Sequence, residues 1–276
     1  MDLLEPATLV PLVLALALAG ALIGFLAGVF GIGGGAISVP VFYEVFQTLG
    51  HAPEVAMPMA VGTSLAVIIP TSIQSARGHY LRGTVDVDLL RVWALPVLFG
   101  VILGAAIARF AQPQVFQLVF VVVAAVNATK LLAGGSGWRL RDSLPSRAML
   151  RLYGAGVGLV SALMGIGGGA VSTLILTLHN VPIHRAVSTS AGVGMLIAIP
   201  GTVGYMIAGY GRPDLPPDAI GFVSLATFAL TIPTSMLTTR FGVSLAHRLS
   251  RRWLESAFGL FLLAVCLRFL WLSVVS

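Results

Sequence analysis

The hexapeptide Gly31-Ile32-Gly33-Gly34-Gly35-Ala36 returns letter for letter as Gly165-Ile166-Gly167-Gly168-Gly169-Ala170, 134 residues further along the chain. Each copy interrupts a long apolar run. Adjacent glycines favour helix weakly and take left-handed backbone angles freely, so each copy is expected to break the helix that contains it. Two such breaks in matching surroundings divide the chain into two related units.

The likeness extends beyond the glycines. Ser38 matches Ser172 at the same spacing. Ala60-Val61-Gly62-Thr63-Ser64 matches Ala186-Val187-Ser188-Thr189-Ser190 at a spacing of 126, which also sets Gly78 against Gly204 and His79 against Tyr205. The shorter spacing assigns the first unit a longer connection near residues 43–57. Gly134-Gly135-Ser136-Gly137 and Pro145 mark a linker, so residues 1–137 read as an N-terminal membrane repeat and 138–276 as a C-terminal one. Two-copy repeats of this size are common in transporters.

Hydrophobic residues make up 57% of the chain and charged residues only 9%. A soluble domain carries about 25% charged residues. The chain therefore reads as an all-α polytopic membrane protein. Its apolar runs are continuous rather than alternating, which argues for helices over a transmembrane barrel. Full or partial spans are expected near 7–30, 37–48, 56–76, 89–109, 114–133, 151–164, 170–178, 186–209, 218–239 and 253–274. The acidic start, Met1-Asp2-Leu3-Leu4-Glu5-Pro6, lacks the basic region of a secretory signal, so the first run is expected to be a retained helix. The single cysteine, Cys266, permits no internal disulfide and reads as a core or lipid-facing residue. The net charge of +6 lies in short loops, where cytoplasmic placement explains it better than nucleic acid does.

Loop charge chooses between two topologies. If each glycine segment crosses the membrane once, Lys and Arg divide 9 against 6. If each glycine motif is instead the tip of a re-entrant hairpin, 13 of them share one side: Arg77, Arg82, Arg91, Lys130, Arg139, Arg141, Arg147, Arg151, Arg185, Arg240, Arg248, Arg251 and Arg252. Only Arg109 and Arg212 face the other, with Arg268 inside the last apolar run. The positive-inside rule prefers the second arrangement. It predicts two inverted repeats, each a glycine-broken hairpin plus three transmembrane helices, with both termini and the stretch Glu44–Glu54 outside. Residues 7–30 are long enough either to span fully or to form half a hairpin.

A helix break inside a bilayer is tolerated only where protein or a cavity surrounds it. The restarting helices would present bare N–H groups and the positive end of the dipole, which is an anion site built without a buried lysine. The candidate ligands are Gly33, Gly34, Gly35 and Ser38 from the first unit, and Gly167, Gly168, Gly169 and Ser172 from the second. Thr63, Ser64, Thr189 and Ser190 add hydroxyls from the next helix. Close helix packing by glycine and hydroxyl bonds to the local backbone are the structural alternatives. Gln74, His79 and Tyr205 are candidates for gating or coupling; Arg77 and His79 read as interfacial, and Gln74 and Asn127 as interhelical or pore-lining. No Asp or Glu lies well inside a span, so no carboxylate proton relay is expected. No catalytic motif, metal-ligand cluster or cofactor signature is found.

The paired G-x-G-G-G motifs, each followed by an A-V-x-T-S segment, resemble the TauE/SafE family of sulfite exporters, also called the 4-toluene sulfonate uptake permease family. The resemblance covers nearly the whole chain. It implies a secondary transporter of the bacterial inner membrane, an exporter of sulfite or an organosulfonate such as sulfoacetate; the expected mechanism is alternating access, with the inverted halves moving about an anion held at the glycine breaks. A channel-like anion pore of the same fold is the alternative. Expected partners are the small anion, the lipid bilayer, a coupling proton or ion and a second copy of the chain. Ser188 in place of Gly62, and Tyr205 in place of His79, imply an asymmetric site.

Overall fold

The computed structural model describes residues 6–30, 34–132 and 140–275. Gly31, Ile32 and Gly33 of the first motif lie outside the described residues, as do 133–139 with the expected repeat boundary. The described chain is almost entirely helical. Its helices are α1 (Pro6–Phe30), α2 (Gly35–Thr48), α3 (Pro53–Tyr80), α4 (Val87–Ala108), α5 (Pro113–Leu132), α6 (Arg147–Met164), α7 (Gly169–Leu178), α8 (Ile183–Ala208), α9 (Leu225–Ala246) and α10 (Arg251–Val275). A two-residue hairpin, β1 (Ala219–Ile220) with β2 (Val223–Ser224), precedes α9.

Stretches within α1, α3, α4, α5 and α8 are long and apolar enough to cross a membrane, and α7 is a shorter apolar helix. The protein is a multi-pass membrane protein. The apolar segment expected at 218–239 starts later, at Leu225. The β-hairpin takes up its first residues, and Ser224 caps α9 by accepting from the Thr227 N–H at 3.2 Å. Asp86 caps α4 in the same manner, accepting from Leu89 N–H at 3.0 Å.

The helices pack in an exchanged pattern. α1 lies along α9, and α6 lies along α4. Likewise α3 packs on α8 and α5 on α10, while α4 reaches α8 and α3 reaches α9. Glycine makes the two long seams possible. A Cβ on Gly24 would fall 1.9 Å from the Ser235 carbonyl oxygen, and one on Gly158 would fall 2.2 Å from that of Val97. Small residues permit such close backbone approach in membranes, where packing rather than water drives helix association.

A third spacing, 138, relates the later helices of the two halves. Buried Leu89, Trp93, Val97, Val101 and Ala105 of α4 correspond to buried Thr227, Thr231, Ser235, Thr239 and Val243 of α9. Phe116, Phe120, Ala124 and Ala128 of α5 correspond to Leu254, Phe258, Leu262 and Cys266 of α10. Each set is an i, i+4 stripe on one helix face. Cys266 is thus a core residue of the α5–α10 seam.

Candidate functional site

The second glycine motif ends α6 and starts α7, and the described end of the first starts α2. Gly165 closes α6 with φ 66°. Gly34 and Gly168 precede α2 and α7 in the left-handed region, at φ 81° and φ 78°. Neither has a side chain to cap the helix it begins. The leading amides of α2 and α7 therefore have no intrahelical acceptor, and each start carries the positive end of a helix dipole.

The two interruptions touch. A Cβ on Gly35 would fall 2.1 Å from the Gly165 carbonyl oxygen and 2.5 Å from the Ile166 Cα. Backbone lies on backbone, so neither side can yield to a larger residue. On its other side the second motif faces α8, where a Cβ on Gly194 would sit 3.2 Å from the Gly167 carbonyl oxygen.

The serines belong to this junction. Ser38 and Ser172 lie in the first turns of α2 and α7, fully buried. Ser38 Oγ is 2.6 Å from Ser64 Oγ, and Ser64 Oγ donates to the Gly165 carbonyl at 2.7 Å. In the second unit Ser172 Oγ donates to the Gly168 carbonyl at 2.6 Å and lies 2.9 Å from Ser190 Oγ. Thr173, which sequence reading passed over, joins them with its hydroxyl 2.8 Å from Ser190 Oγ. Ser161 is also buried beside the second break, its hydroxyl without a partner.

Thr63 and Thr189 sit one residue away but serve helix starts. Thr63 Oγ1 accepts from the Ser224 N–H, and Thr189 Oγ1 accepts from the Asp86 N–H, both at 3.0 Å. Each tethers the residue capping α9 or α4.

Gln74, His79 and Tyr205 are scattered around this centre. Tyr205 is buried and donates to the Ala162 carbonyl at 3.0 Å. The Gln74 Oε1 is buried without a hydrogen-bond partner. His79, in the last turn of α3, is buried within the bundle at 1% exposure. Its Nδ1 lies 3.0 Å from His247 Nε2 and 3.1 Å from Ser188 Oγ, and its Nε2 is buried without a hydrogen-bond partner. Three helices, α3, α8 and the end of α9, meet at this contact. His247, just past α9, has its imidazole pKa lowered by burial first, then by Arg82 and His184.

Two cations that the sequence reading considered only in the loop-charge count have defined partners. Lys130 near the end of α5 is 2% exposed and donates to the Leu174 carbonyl at 3.2 Å and to Thr177 Oγ1, at the last turn of α7. Arg268 of α10 pairs with Glu44 on the last turns of α2. The 138 spacing relates the two, so each short helix has a cation from the other half's last helix near its C-terminal end. That placement suits the negative end of the dipole. A cleft of about 460 Å³ runs between α2 and α10 from Ala36 and Ile37, beside the first break, to Glu44 and Arg268.

Two further contacts bear on sidedness. Arg185 Nη2 lies 2.9 Å from Asp86 Oδ2, joining the starts of α8 and α4. The Leu140 N–H donates to the Leu178 carbonyl at 2.9 Å, joining the end of α7 to the segment before α6.

The family model described as sulfite exporter TauE/SafE matches residues 16–269. A "Probable membrane transporter protein" of Haemophilus influenzae is 31% identical over 255 residues, covering 91% of this chain and 95% of the relative. Another of that description from Xylella fastidiosa is 28% identical, covering 93% and 94%. A third, from Methanocaldococcus jannaschii, is 27% identical, covering 87% and 88%. No solved structure matches the chain significantly.

Proposed function

Because the chain belongs to the sulfite exporter TauE/SafE family, we propose that it is a secondary transporter of the bacterial inner membrane that exports a small sulfur-containing anion, sulfite or an organosulfonate such as sulfoacetate. The observation that carries this reading is the meeting of the two glycine breaks. Two uncapped helix starts begin at left-handed glycines, and the backbone of Gly35 lies against Gly165 and Ile166. Sulfite and sulfonate oxygens accept hydrogen bonds from such amides, and two dipole ends offset the anion's charge without a buried ammonium group. The buried hydroxyls of Ser38, Ser64, Ser172 and Ser190 can rotate from their present partners to donate to the same oxygens.

In this reading each glycine motif is a re-entrant tip and the two halves are inverted. Were each glycine segment a single crossing, Asp86 and Arg185 would lie on opposite membrane faces, as would Leu140 and Leu178, and Glu44 and Arg268. Their contacts support the hairpins. The exchanged packing supports a two-fold relation between residues 1–137 and 138–276. Alternating access follows if the halves rock about the breaks, with the α2–α10 cleft as the outer route and the His79–His247 contact as a place for a coupling proton.

The test is transport of labelled sulfite and sulfoacetate by the purified chain in proteoliposomes. Saturable flux is expected, with Ser38→Ala and Ser172→Ala raising KM and Gly34→Leu and Gly168→Leu abolishing transport while the proteins still elute as folded particles. Undiminished transport in both leucine variants would remove the breaks from the mechanism. Flux that rises linearly with anion concentration would point to a channel-like pore.

A further inference from the structure

Near the starts of both helices, a groove of about 910 Å³ opens between α4 and α6. Arg91, Arg147 and Arg151 line its mouth. Arg147 and Arg151 are one helical turn apart in the first turns of α6, both exposed. Arg91 pairs with Asp88 at 3.2 Å, and since the two side chains are 76% and 91% exposed the pair holds it weakly. Among the described residues that line the groove, three guanidiniums stand with one carboxylate. Below them the wall turns apolar. Leu95 and Phe99 lie one and two turns further along α4 from Arg91, about 6 and 12 Å deeper, and Ala155 lies one turn beyond Arg151. Leu95 is 77% exposed and Phe99 65%.

We propose that this groove binds an anionic phospholipid of the inner leaflet, its phosphate on Arg147 and Arg151 and one acyl chain along Leu95, Phe99 and Ala155. Guanidinium groups bind phosphate oxygens bidentately. Basic pockets between transmembrane helices on the cytoplasmic side suit anionic head groups. The positive-inside orientation sets all three arginines on that side. An acidic peptide or free phosphate would satisfy the arginines but leave the apolar floor uncovered at bilayer depth; a phospholipid covers both. α6 is also the first arm of the second glycine break, so the bound lipid buttresses the α4–α6 seam that holds this arm. The inference is independent of which anion the protein carries.

The test is native mass spectrometry of the purified full-length chain in detergent with phosphatidylglycerol and phosphatidylcholine of matched acyl length. Preferential retention of phosphatidylglycerol is expected, weakening with salt. Arg147→Gln and Arg151→Gln should each lower it about fivefold, the effect of one basic side chain near an anionic surface. Arg109→Gln, on the opposite side, should leave it unchanged. Equal retention of the two lipids by the native chain would overturn the proposal, as would an undiminished preference in the double variant. Displacement of phosphatidylglycerol by inorganic phosphate would overturn the lipid assignment in favour of a soluble phosphate. Displacement by an acidic peptide would do so in favour of a protein partner.

Discussion

Gly35 has no room for a methyl group, because its Cα faces the Gly165 carbonyl and the Ile166 Cα rather than a side chain that could move. Gly35→Ala should cost about 1–3 kcal/mol, the ordinary range for overpacking, read as a lower thermal midpoint in detergent. Gly156→Ala makes the contrast. That residue lies within α6 with open space around its Cα, so the substitution should stabilise by about 0.4–1 kcal/mol through the unfolded chain. A second residue-scale expectation concerns pH. Burial, Arg82 and His184 lower the His247 pKa, so the folded protein binds a proton there less readily than the unfolded one. Its contribution to stability is full above the ordinary imidazole pKa of about 6.5 and is lost as pH falls below that value. The thermal midpoint should therefore drop on acidification, and His247→Gln should flatten that drop. A variant profile as steep as the native one would exclude His247 as its source. The sequence marked His79 as a candidate; its partner His247, just past α9, lies 168 residues away, which no local pattern reveals.

The element scale shows why the third repeat spacing stayed hidden. In α4 and α9 the matched positions are Leu89 with Thr227, Trp93 with Thr231 and Val97 with Ser235. Burial repeats there, but chemistry does not, because α4 receives α6 while α9 receives α1, and the two arms present different surfaces. The equivalence still predicts equal behaviour at the seams. Gly24→Val and Gly158→Val each push a branched side chain into a facing backbone carbonyl. Both should destabilise by several kcal/mol, as overpacking against backbone does, and both should reduce the yield of folded protein in detergent. If one variant folds normally, the seams are not equivalent. Lys130 and Arg268 illustrate the same point. One reads as a loop cation and the other as an oddity within an apolar run; only the ends of α7 and α2 against them show a shared role.

For the molecule as a whole, orientation is the property most open to a direct check. In a Cys266→Ser background, Ala52→Cys and Asp214→Cys should react with a membrane-impermeant thiol reagent added outside the cell, and Arg248→Cys should not. Labelling at Ala52 without Asp214, or strong labelling at 248, would break the inverted arrangement. Much was legible beforehand. Apolar run length and scarcity of charge established a multi-pass helical protein, and the duplicated glycines located the helix interruptions and pointed to the family. These are local properties: a run of about 20 apolar residues is a span whatever surrounds it, and adjacent glycines bend the chain wherever they stand. The tertiary structure alone decided that Gly35 meets Gly165, that Thr63 and Thr189 hold helix starts, and that each half's last helix supplies a cation to the other's short helix. Those facts depend on which apolar face buries against which, and several faces of similar hydrophobicity compete for each partner. That choice is made by steric fit between distant segments, which residue order does not display.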